Sequence, residues 1–221
     1  MRFLFTDIEG SSRLWERYGG IMGDVLRQHD AILENEIDRW GGHIIKHTGD
    51  GIFAVFPSGD PLEFALHVRH KLREHDWGAI GKLRVRYAIH AGEAQQRNGD
   101  YFGVAINQTT RLLSISRGEQ ILLTAAVAKS SCVPLGISLR ELGTYRLKDM
   151  CEPLQIFKVT YPGWAQQSSL FSRLRPFNVW RVLFASYLIA VRHLTHSFIT
   201  RTGYSLVGIG NNDEGQSIPE E

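Results

Sequence analysis

The sequence predicts an α+β fold, an α/β sandwich in which helices pack on one face of a central, mostly antiparallel sheet. Three observations support this prediction. The composition is that of a globular chain, with 43% apolar and 22% charged residues. Strand-like and helix-like segments alternate as far as residue 162, and a tight Asp50-Gly51 turn joins two neighbouring strand segments. The order of the first segments, β-α-α-β-β-α-β, suits a ferredoxin-like βαββαβ arrangement.

Alternating apolar residues predict the strands, and apolar residues three or four positions apart predict the helices. The predicted strands are residues 3–8, 43–47, 52–56, 83–90, 120–123, 138–147 and 154–160. The predicted helices are a short one that ends near residue 18, then 22–40, 61–74, 106–114 and 124–129. Asn98-Gly99-Asp100 is predicted to form a turn.

Residues suited to helix ends support these boundaries. Ser11 or Ser12 is expected to cap the first helix, and Ser58 or Asp60 the helix over 61–74, because their side chains accept hydrogen bonds from free N–H groups. Gly41 follows the helix over 22–40, where a glycine can adopt the left-handed conformation that ends a helix.

The character of the sequence changes at residues 162–163, where irregular and polar segments begin. We interpret residues 1–162 as one folded domain and residues 163–221 as a C-terminal extension that is partly helical or disordered. Within the extension, residues 180–192 have arginines near both ends, so a helix lying on a membrane surface or against a partner is an alternative interpretation.

Composition excludes several classes of protein. A net charge of +2 is not the large excess of basic residues that is typical of a nucleic-acid-binding domain. Two cysteines cannot form a disulfide framework or a cysteine-based zinc site. No signal peptide is recognised at the start, because Asp7 interrupts the apolar residues there, and the apolar run over 181–192 is shorter than the roughly 20 residues that a membrane helix needs. We therefore expect a cytoplasmic protein.

Two acidic residues stand at corresponding places, where chemistry is expected. Asp7 ends the first strand, and Asp50 lies at the tip of the hairpin formed by the next two. If these strands are neighbours, both carboxylates emerge at one edge of the sheet, and hard oxygen ligands there suit Mg²⁺ or Mn²⁺. Two such ions, about 3.5–4 Å apart, would activate an attacking oxygen and stabilise a phosphate leaving group. The alternative is that Asp50 only forms the turn and Asp7 only caps the helix.

Four segments, in order, resemble the signature motifs of the class III adenylate/guanylate cyclase catalytic domain. They are FLFTDIEGSS (3–12), KHTGDG (46–51), GDYFG with NQTTRL (99–103 and 107–112), and LGTYRLK with EP (142–148 and 152–153). The resemblance covers roughly residues 3–160 and is closest in character to the bacterial, mycobacterial-like members. It implies the nucleotide cyclase fold, which agrees with the sheet predicted above.

The resemblance also implies roles for individual residues. Asp7 and Asp50, with the backbone carbonyl of Ile8, match the ligands of two Mg²⁺ or Mn²⁺ ions per site. Lys46 and Asp100 match the pair that reads the edge of adenine. A cation can donate to an adenine ring nitrogen, while a carboxylate accepts from the exocyclic amino group. Taken alone, Lys46 reads as a surface lysine and Asp100 as a turn residue.

Asn107 and Arg111 match the catalytic pair of the transition state, and they lie four residues apart on one helix face. Lys148 matches the lysine that holds the terminal phosphates. One position departs from the pattern, because Asp149 stands where relatives often have glycine. An acid beside Lys148 is expected to weaken its hold on triphosphate.

The implied function is an adenylate cyclase that converts ATP to 3′,5′-cyclic AMP and pyrophosphate. The family assembles its site between two domains, and this chain carries both residue sets, so a symmetric homodimer is implied. The alternatives are a guanylate cyclase and a catalytically silent module that binds nucleotide or a partner. Lys46 and Asp100 argue against the first alternative. Against the second argues the presence of all four metal and transition-state residues, Asp7, Asp50, Asn107 and Arg111.

Overall fold

A computed structural model describes residues 1–161, so the extension predicted over 163–221, including the segment 180–192, lies outside the described residues. Its strands are β1 (Arg2–Ile8), β2 (His43–His47), β3 (Ile52–Phe56), β4 (Val85–Ala91), β5 (Gln95–Arg97), β6 (Asp100–Phe102), β7 (Ile121–Thr124), β8 (Ser138–Tyr145) and β9 (Leu154–Thr160). Its α-helices are α1 (Ser11–Ile37), α2 (Pro61–Glu74), α3 (Val104–Ile115) and α4 (Ala125–Ala128).

A seven-stranded sheet with the order β2-β3-β1-β4-β7-β9-β8 forms the centre of the domain. Its neighbouring strands are antiparallel except for β4 and β7, which pair in parallel. The first four strands with α1 and α2 make the βαββαβ unit that the element order predicts. The predicted α+β architecture is therefore confirmed, and the sheet is mixed.

The two faces of the sheet carry different helices. In β1, Leu4 and Ile8 face a core that includes apolar side chains of α1 and α2, whereas Phe3 and Phe5 belong to a second cluster on the opposite face. That second cluster contains Ala105 of α3, so we call this side of the sheet the α3 face. The expectation that all helices pack on one face is wrong, because the buried residues of α3 need an apolar surface and find it on the aromatic side of β1 and β3.

The start of α1 differs from the prediction. Ser11 is already the first helical residue, and Gly10, with a φ of 71°, precedes it without any side-chain cap. The predicted serine cap is therefore wrong. The two predicted helices are one continuous element with a kink at Tyr18, where φ is −129° and ψ is 24°. This element is followed by a short 3₁₀ turn and by Gly41, whose φ of 67° ends it as predicted.

Asp60 caps α2 as predicted, since its side chain accepts from the Leu62 N–H at 2.9 Å. The turn predicted at residues 98–100 is the tip of a hairpin between β5 and β6, with φ values of 50° at Asn98 and 79° at Gly99. Each of these strands is only three residues long, which is too short to show apolar alternation in the sequence. Among residues 1–161, no helix is long and apolar enough to cross a membrane.

Candidate active site

The tip of the β2–β3 hairpin is fixed against β1. The Ile8 N–H donates to the carbonyl oxygen of Asp50 at 3.1 Å, which places Asp50 next to the end of β1. Asp7 immediately precedes Ile8 on that strand. The structure therefore brings Asp7 and Asp50 to the same edge of the sheet, as their positions in the sequence suggested.

Gly51 allows this close approach. A Cβ atom at this position would lie 1.9 Å from the carbonyl oxygen of Thr6, so no other residue fits without moving the backbone. The Thr6 hydroxyl, which is fully buried, accepts from the Ile52 N–H at 3.1 Å and fixes the same turn. The hydrogen bonds of the Asp50 carbonyl and of the Ile52 N–H fix the backbone before and after Gly51, and they thereby hold Asp50 in place.

Asp7 forms an ion pair with Arg86, its cross-strand partner on β4. The side chains of Asp7 and Arg86 are only 15% and 26% exposed. Burial lowers the pKa of the Arg86 guanidinium, and its Nε atom has no hydrogen-bond partner among the described residues. Since no side chain caps α1, the alternative in which Asp7 serves as a helix cap is wrong.

Sequence reasoning missed Arg86. The signal for it was present, because Arg86 is a charged residue inside a strand whose neighbours Val85 and Tyr87 are buried. A charge in such a position requires a partner. Only the strand register, which sets Arg86 opposite Asp7, identifies that partner.

The edge offers oxygen ligands to a divalent cation. Among residues 1–161, no group of three or more His, Cys, Asp or Glu side chains could hold a metal ion by itself. Mg²⁺ is commonly bound through one or two carboxylates together with substrate phosphates. Asp7 and Asp50 carry two negative charges, and Arg86 carries one positive charge. These three side chains together are therefore negative and suit a cation that also binds phosphate oxygens.

Lys46 and Asp100 form an ion pair that joins β2 to β6. Asp100 also accepts from the Tyr101 N–H at 2.8 Å. The hydrogen bond from Lys46, followed by that from the Tyr101 backbone, lowers the pKa of Asp100 and keeps the carboxylate ionised. The Lys46 ammonium lies 5.8 Å from the ring centroid of Phe53, on the α3 face. The structure thus brings together the two residues to which the resemblance assigns base recognition.

Asn107 and Arg111 lie one turn apart on α3. Ala105, Thr109 and Leu112 are the buried residues of this helix, so Asn107 and Arg111 are on its more exposed side. Arg111 donates from Nη2 to the Asp149 carboxylate at 2.7 Å. This partner was not predicted, because Asp149 lies 38 residues further along the chain.

Lys148 lies in the exposed turn that follows β8. Leu147, which is 3% exposed, anchors the turn in the core, and the Met150 N–H closes it on the Leu147 carbonyl at 3.2 Å. Lys148 itself is exposed and makes no ion pair with a described residue. Its ammonium is therefore accessible to an anion.

Within one chain, the predicted site residues form separate groups. Among residues 1–161, no hydrogen bond or ion pair connects Asp7 or Asp50 with Lys46, Asp100 or Arg111. Two cavities of about 630 and 660 Å³ lie elsewhere on the domain, and none of the predicted site residues lines either of them. Neither of these two cavities joins the predicted groups.

Comparison with known proteins finds distant relatives of this chain. No family model matches the chain. An uncharacterised protein of Mycobacterium tuberculosis is 27% identical over 164 residues, which cover 72% of this chain and 55% of that protein. The chain therefore spans about half the length of this curated relative.

Solved structures of nucleotide cyclases resemble this domain. An adenylate/guanylate cyclase/hydrolase from Silicibacter pomeroyi is 27% identical, with a TM-score of 0.61 over 73% of this chain and 96% of that one. Adenylate cyclases from Trypanosoma brucei share the fold, with a TM-score of 0.69 and 23% identity over 79% of this chain and 92% of theirs. The fold is that of a nucleotide cyclase catalytic domain. The chain is thus similar to class III adenylate/guanylate cyclase catalytic domains in sequence and in fold.

Proposed function

We propose that the chain is an adenylate cyclase that converts ATP to 3′,5′-cyclic AMP and pyrophosphate at the interface of a homodimer. The observation that carries the proposal is the hydrogen bond from Ile8 to Asp50, which sets two acidic residues side by side on one sheet edge. The similar proteins from Silicibacter pomeroyi and Trypanosoma brucei are an adenylate/guanylate cyclase/hydrolase and adenylate cyclases, which also supports the proposal.

Adenine is the base that Lys46 and Asp100 fit. An ionised Asp100 can only accept hydrogen bonds, and adenine presents its donor at the exocyclic amino group. Lys46 can only donate, and adenine presents acceptors at its ring nitrogens. Because each side chain holds the other in place before the base arrives, little ordering remains to be done on binding.

Asp7, Asp50 and the carbonyl of Ile8 would hold Mg²⁺ or Mn²⁺ in this assignment, two ions per site. When bound, such ions lower the pKa of the ribose 3′-hydroxyl and neutralise charge on the phosphates. Arg86 already balances the charge of Asp7. The Arg86 guanidinium therefore lies at the sheet edge where a phosphate would be bound.

The remaining residues serve the phosphoryl transfer itself. The ribose 3′-hydroxyl releases its proton to solvent, and its oxygen forms a bond to the α-phosphorus. The bond from that phosphorus to the bridging oxygen breaks, and pyrophosphate leaves. Arg111 donates to the oxygens of the α-phosphate as charge builds up there, and Asn107 orients the ribose. Lys148, which is exposed on its turn, holds the terminal phosphates.

A second copy of the chain completes the site. The carboxylates of one subunit would face Lys46, Asp100, Asn107, Arg111 and Lys148 of the other. Within residues 1–161, Asp7 pairs with Arg86, whereas Lys46 pairs with Asp100 and Arg111 with Asp149, so the two sets form separate groups of contacts. A two-fold axis would generate two equivalent sites per dimer.

The direct test is to incubate the purified chain with ATP or GTP, in Mn²⁺ or Mg²⁺, and to measure cyclic nucleotide and pyrophosphate. We expect cyclic AMP and pyrophosphate in equal amounts from ATP, with little product from GTP. Cyclic GMP as the main product would replace the proposal with a guanylate cyclase. A folded dimer that turns over neither nucleotide would identify a silent module.

A further inference from the structure

The turn after β8 brings the Asp149 carboxylate into contact with Arg111, a proposed catalytic residue. Arg111 donates from Nη2 to Asp149 at 2.7 Å, and the two side chains remain 40% and 59% exposed. Asp149 is thus bound to one cation, Arg111, and is the chain neighbour of another, Lys148. Both cations belong to the group that would meet the phosphates of the nucleotide.

The backbone at Asp149 is of a kind that normally favours glycine. Its φ is 61°, in the left-handed region, and the hydrogen bond from the Met150 N–H to the Leu147 carbonyl closes a four-residue turn around it. Asp149 occupies the third position of this turn, where a positive φ suits glycine or asparagine best. The turn tolerates an aspartate but does not require its charge, whereas the ion pair to Arg111 uses that charge.

An anionic substrate must compete with this carboxylate. While Arg111 is paired with Asp149, part of its donor fork is occupied, and the negative charge beside Lys148 opposes the approach of phosphate. Both side chains are exposed, so the ion pair is weak enough to be exchanged for a phosphate oxygen.

We propose that Asp149 is a positioning residue that holds Arg111 in an inhibited arrangement, which the polyphosphate chain of the nucleotide releases by displacing the carboxylate. We call this contact between Asp149 and Arg111 the carboxylate latch. It rests on the proposed function, because Arg111 is assigned to the phosphates there. Substrate binding then requires displacement of this carboxylate, a step that is separate from recognition of the base by Lys46 and Asp100.

The latch is tested by binding of inorganic tripolyphosphate to the full chain in Mg²⁺, measured by titration calorimetry. Asp149→Asn keeps a side chain that tolerates a positive φ and removes the charge, whereas Asp149→Gly also relieves the backbone. Both variants are expected to bind tripolyphosphate about two- to fivefold more tightly than the unmodified chain. Glu152→Gln removes another exposed acid near the same turn and serves as the matched control, with little expected change.

A double variant shows whether the gain passes through Arg111. In the Arg111→Ala background, Asp149→Asn is expected to give no further tightening, because the latch has no cation left to release. An equal gain in that background, or an equal gain from Glu152→Gln, would overturn the latch and leave only a general charge effect. Unchanged affinity in Asp149→Asn and Asp149→Gly would overturn it as well.

The outcomes separate this inference from the proposed function. If the unmodified chain binds tripolyphosphate and the Asp149 variants bind it no better, the latch is wrong and the cyclase assignment stands. If no form of the folded chain binds tripolyphosphate, the phosphate-binding assignment fails, and the latch fails with it.

Discussion

Lys46 on β2 and Asp100 on β6 form an ion pair across 54 residues of sequence. This contact ties the β5–β6 hairpin, which is not part of the main sheet, to the strand at the sheet edge. The hydrogen bond from Lys46 lowers the pKa of Asp100 and keeps this carboxylate ionised at neutral pH. The two residues proposed to read the base are thus already paired within one chain.

Replacement of both Lys46 and Asp100 is expected to change the nucleotide base that the enzyme prefers. Guanine presents N–H donors where adenine presents a ring acceptor, so a carboxylate at position 46 suits guanine. We expect Lys46→Glu combined with Asp100→Cys to lower kcat/KM for ATP by about 10²-fold and to make GTP the better substrate. The measurement is the rate of cyclic AMP and cyclic GMP formation.

Lys82→Glu provides the control for this exchange, because Lys82 is exposed and forms no ion pair with a described residue. It changes the net charge by the same amount as Lys46→Glu. An unaltered preference for ATP in the double variant would contradict the assignment of Lys46 and Asp100 to the base.

The two acidic residues at the sheet edge are expected to differ in their effect on stability. Asp7→Asn and Asp50→Asn should each lower the Mn²⁺-dependent turnover by more than about 10²-fold. Only Asp7→Asn leaves the partly buried Arg86 without a counter-charge, at a cost of about 1–3 kcal/mol in the free energy of unfolding. Product assays combined with urea unfolding measure both effects.

Asp50→Asn decides the metal assignment, because loss of activity there does not follow from loss of the fold. Turnover close to that of the unmodified chain in a folded Asp50→Asn protein is incompatible with a metal-binding role. Equal destabilisation by the two variants would contradict the pairing of Asp7 with Arg86.

Gly51→Ala is expected to disrupt the hairpin tip. The added methyl group would meet the Thr6 carbonyl at 1.9 Å, so the tip must move away from β1 and carry Asp50 with it. We expect a lower Tm and loss of turnover. Gly20→Ala is the matched control, since nothing lies within 4 Å of a Cβ atom at this helical position. It should raise the free energy of unfolding by about 0.5–1 kcal/mol. A normal Tm for Gly51→Ala would contradict the close approach.

Glu36 is expected to make stability depend on acid pH. It is buried between α1 and α2, and it accepts from Lys71 at 2.5 Å and from Arg39 at 3.2 Å. The hydrogen bond from Lys71 is the main cause that lowers the pKa of Glu36 below 4.5. A lowered pKa in the folded state contributes stability that is present above pH 4.5 and is lost as the pH falls through the lowered value.

Glu36→Gln removes this contribution. At about pH 7 the variant should be less stable than the unmodified chain by about 1–3 kcal/mol, and the difference should shrink in acid as the native carboxyl takes up a proton. Urea unfolding across this pH range measures the difference. A gap that stays constant down to about pH 3 would contradict the lowered pKa of Glu36.

Local signals in the sequence were sufficient for most elements. The Asp50-Gly51 turn, the Asp60 cap and the Gly41 stop each depend on the conformation of a few neighbouring residues, and the structure has all three. The predicted serine cap failed for a similarly local reason, because glycine in the left-handed conformation already begins the helix one residue earlier.

Long-range pairing was beyond the reach of the sequence. Neither the parallel β4–β7 contact nor the packing of α3 on the opposite face follows from periodicity, which fixes a buried side but not what covers it. The same holds for the candidate site. Asp7 and Asp50 could be placed at one edge from their positions, whereas their surroundings, including Arg86, required the strand register.

Complementation between two inactive variants tests the central claim most directly. Asp50→Ala removes one set of residues from a subunit, and Arg111→Ala removes the other. Mixed under conditions that allow subunits to exchange, they should form heterodimers with one intact site, because both defects fall in the same second site. We expect each variant alone to be nearly inactive and the mixture to recover cyclic AMP formation from ATP. Confirmed heterodimers that remain as inactive as either variant would contradict a shared site at the dimer interface.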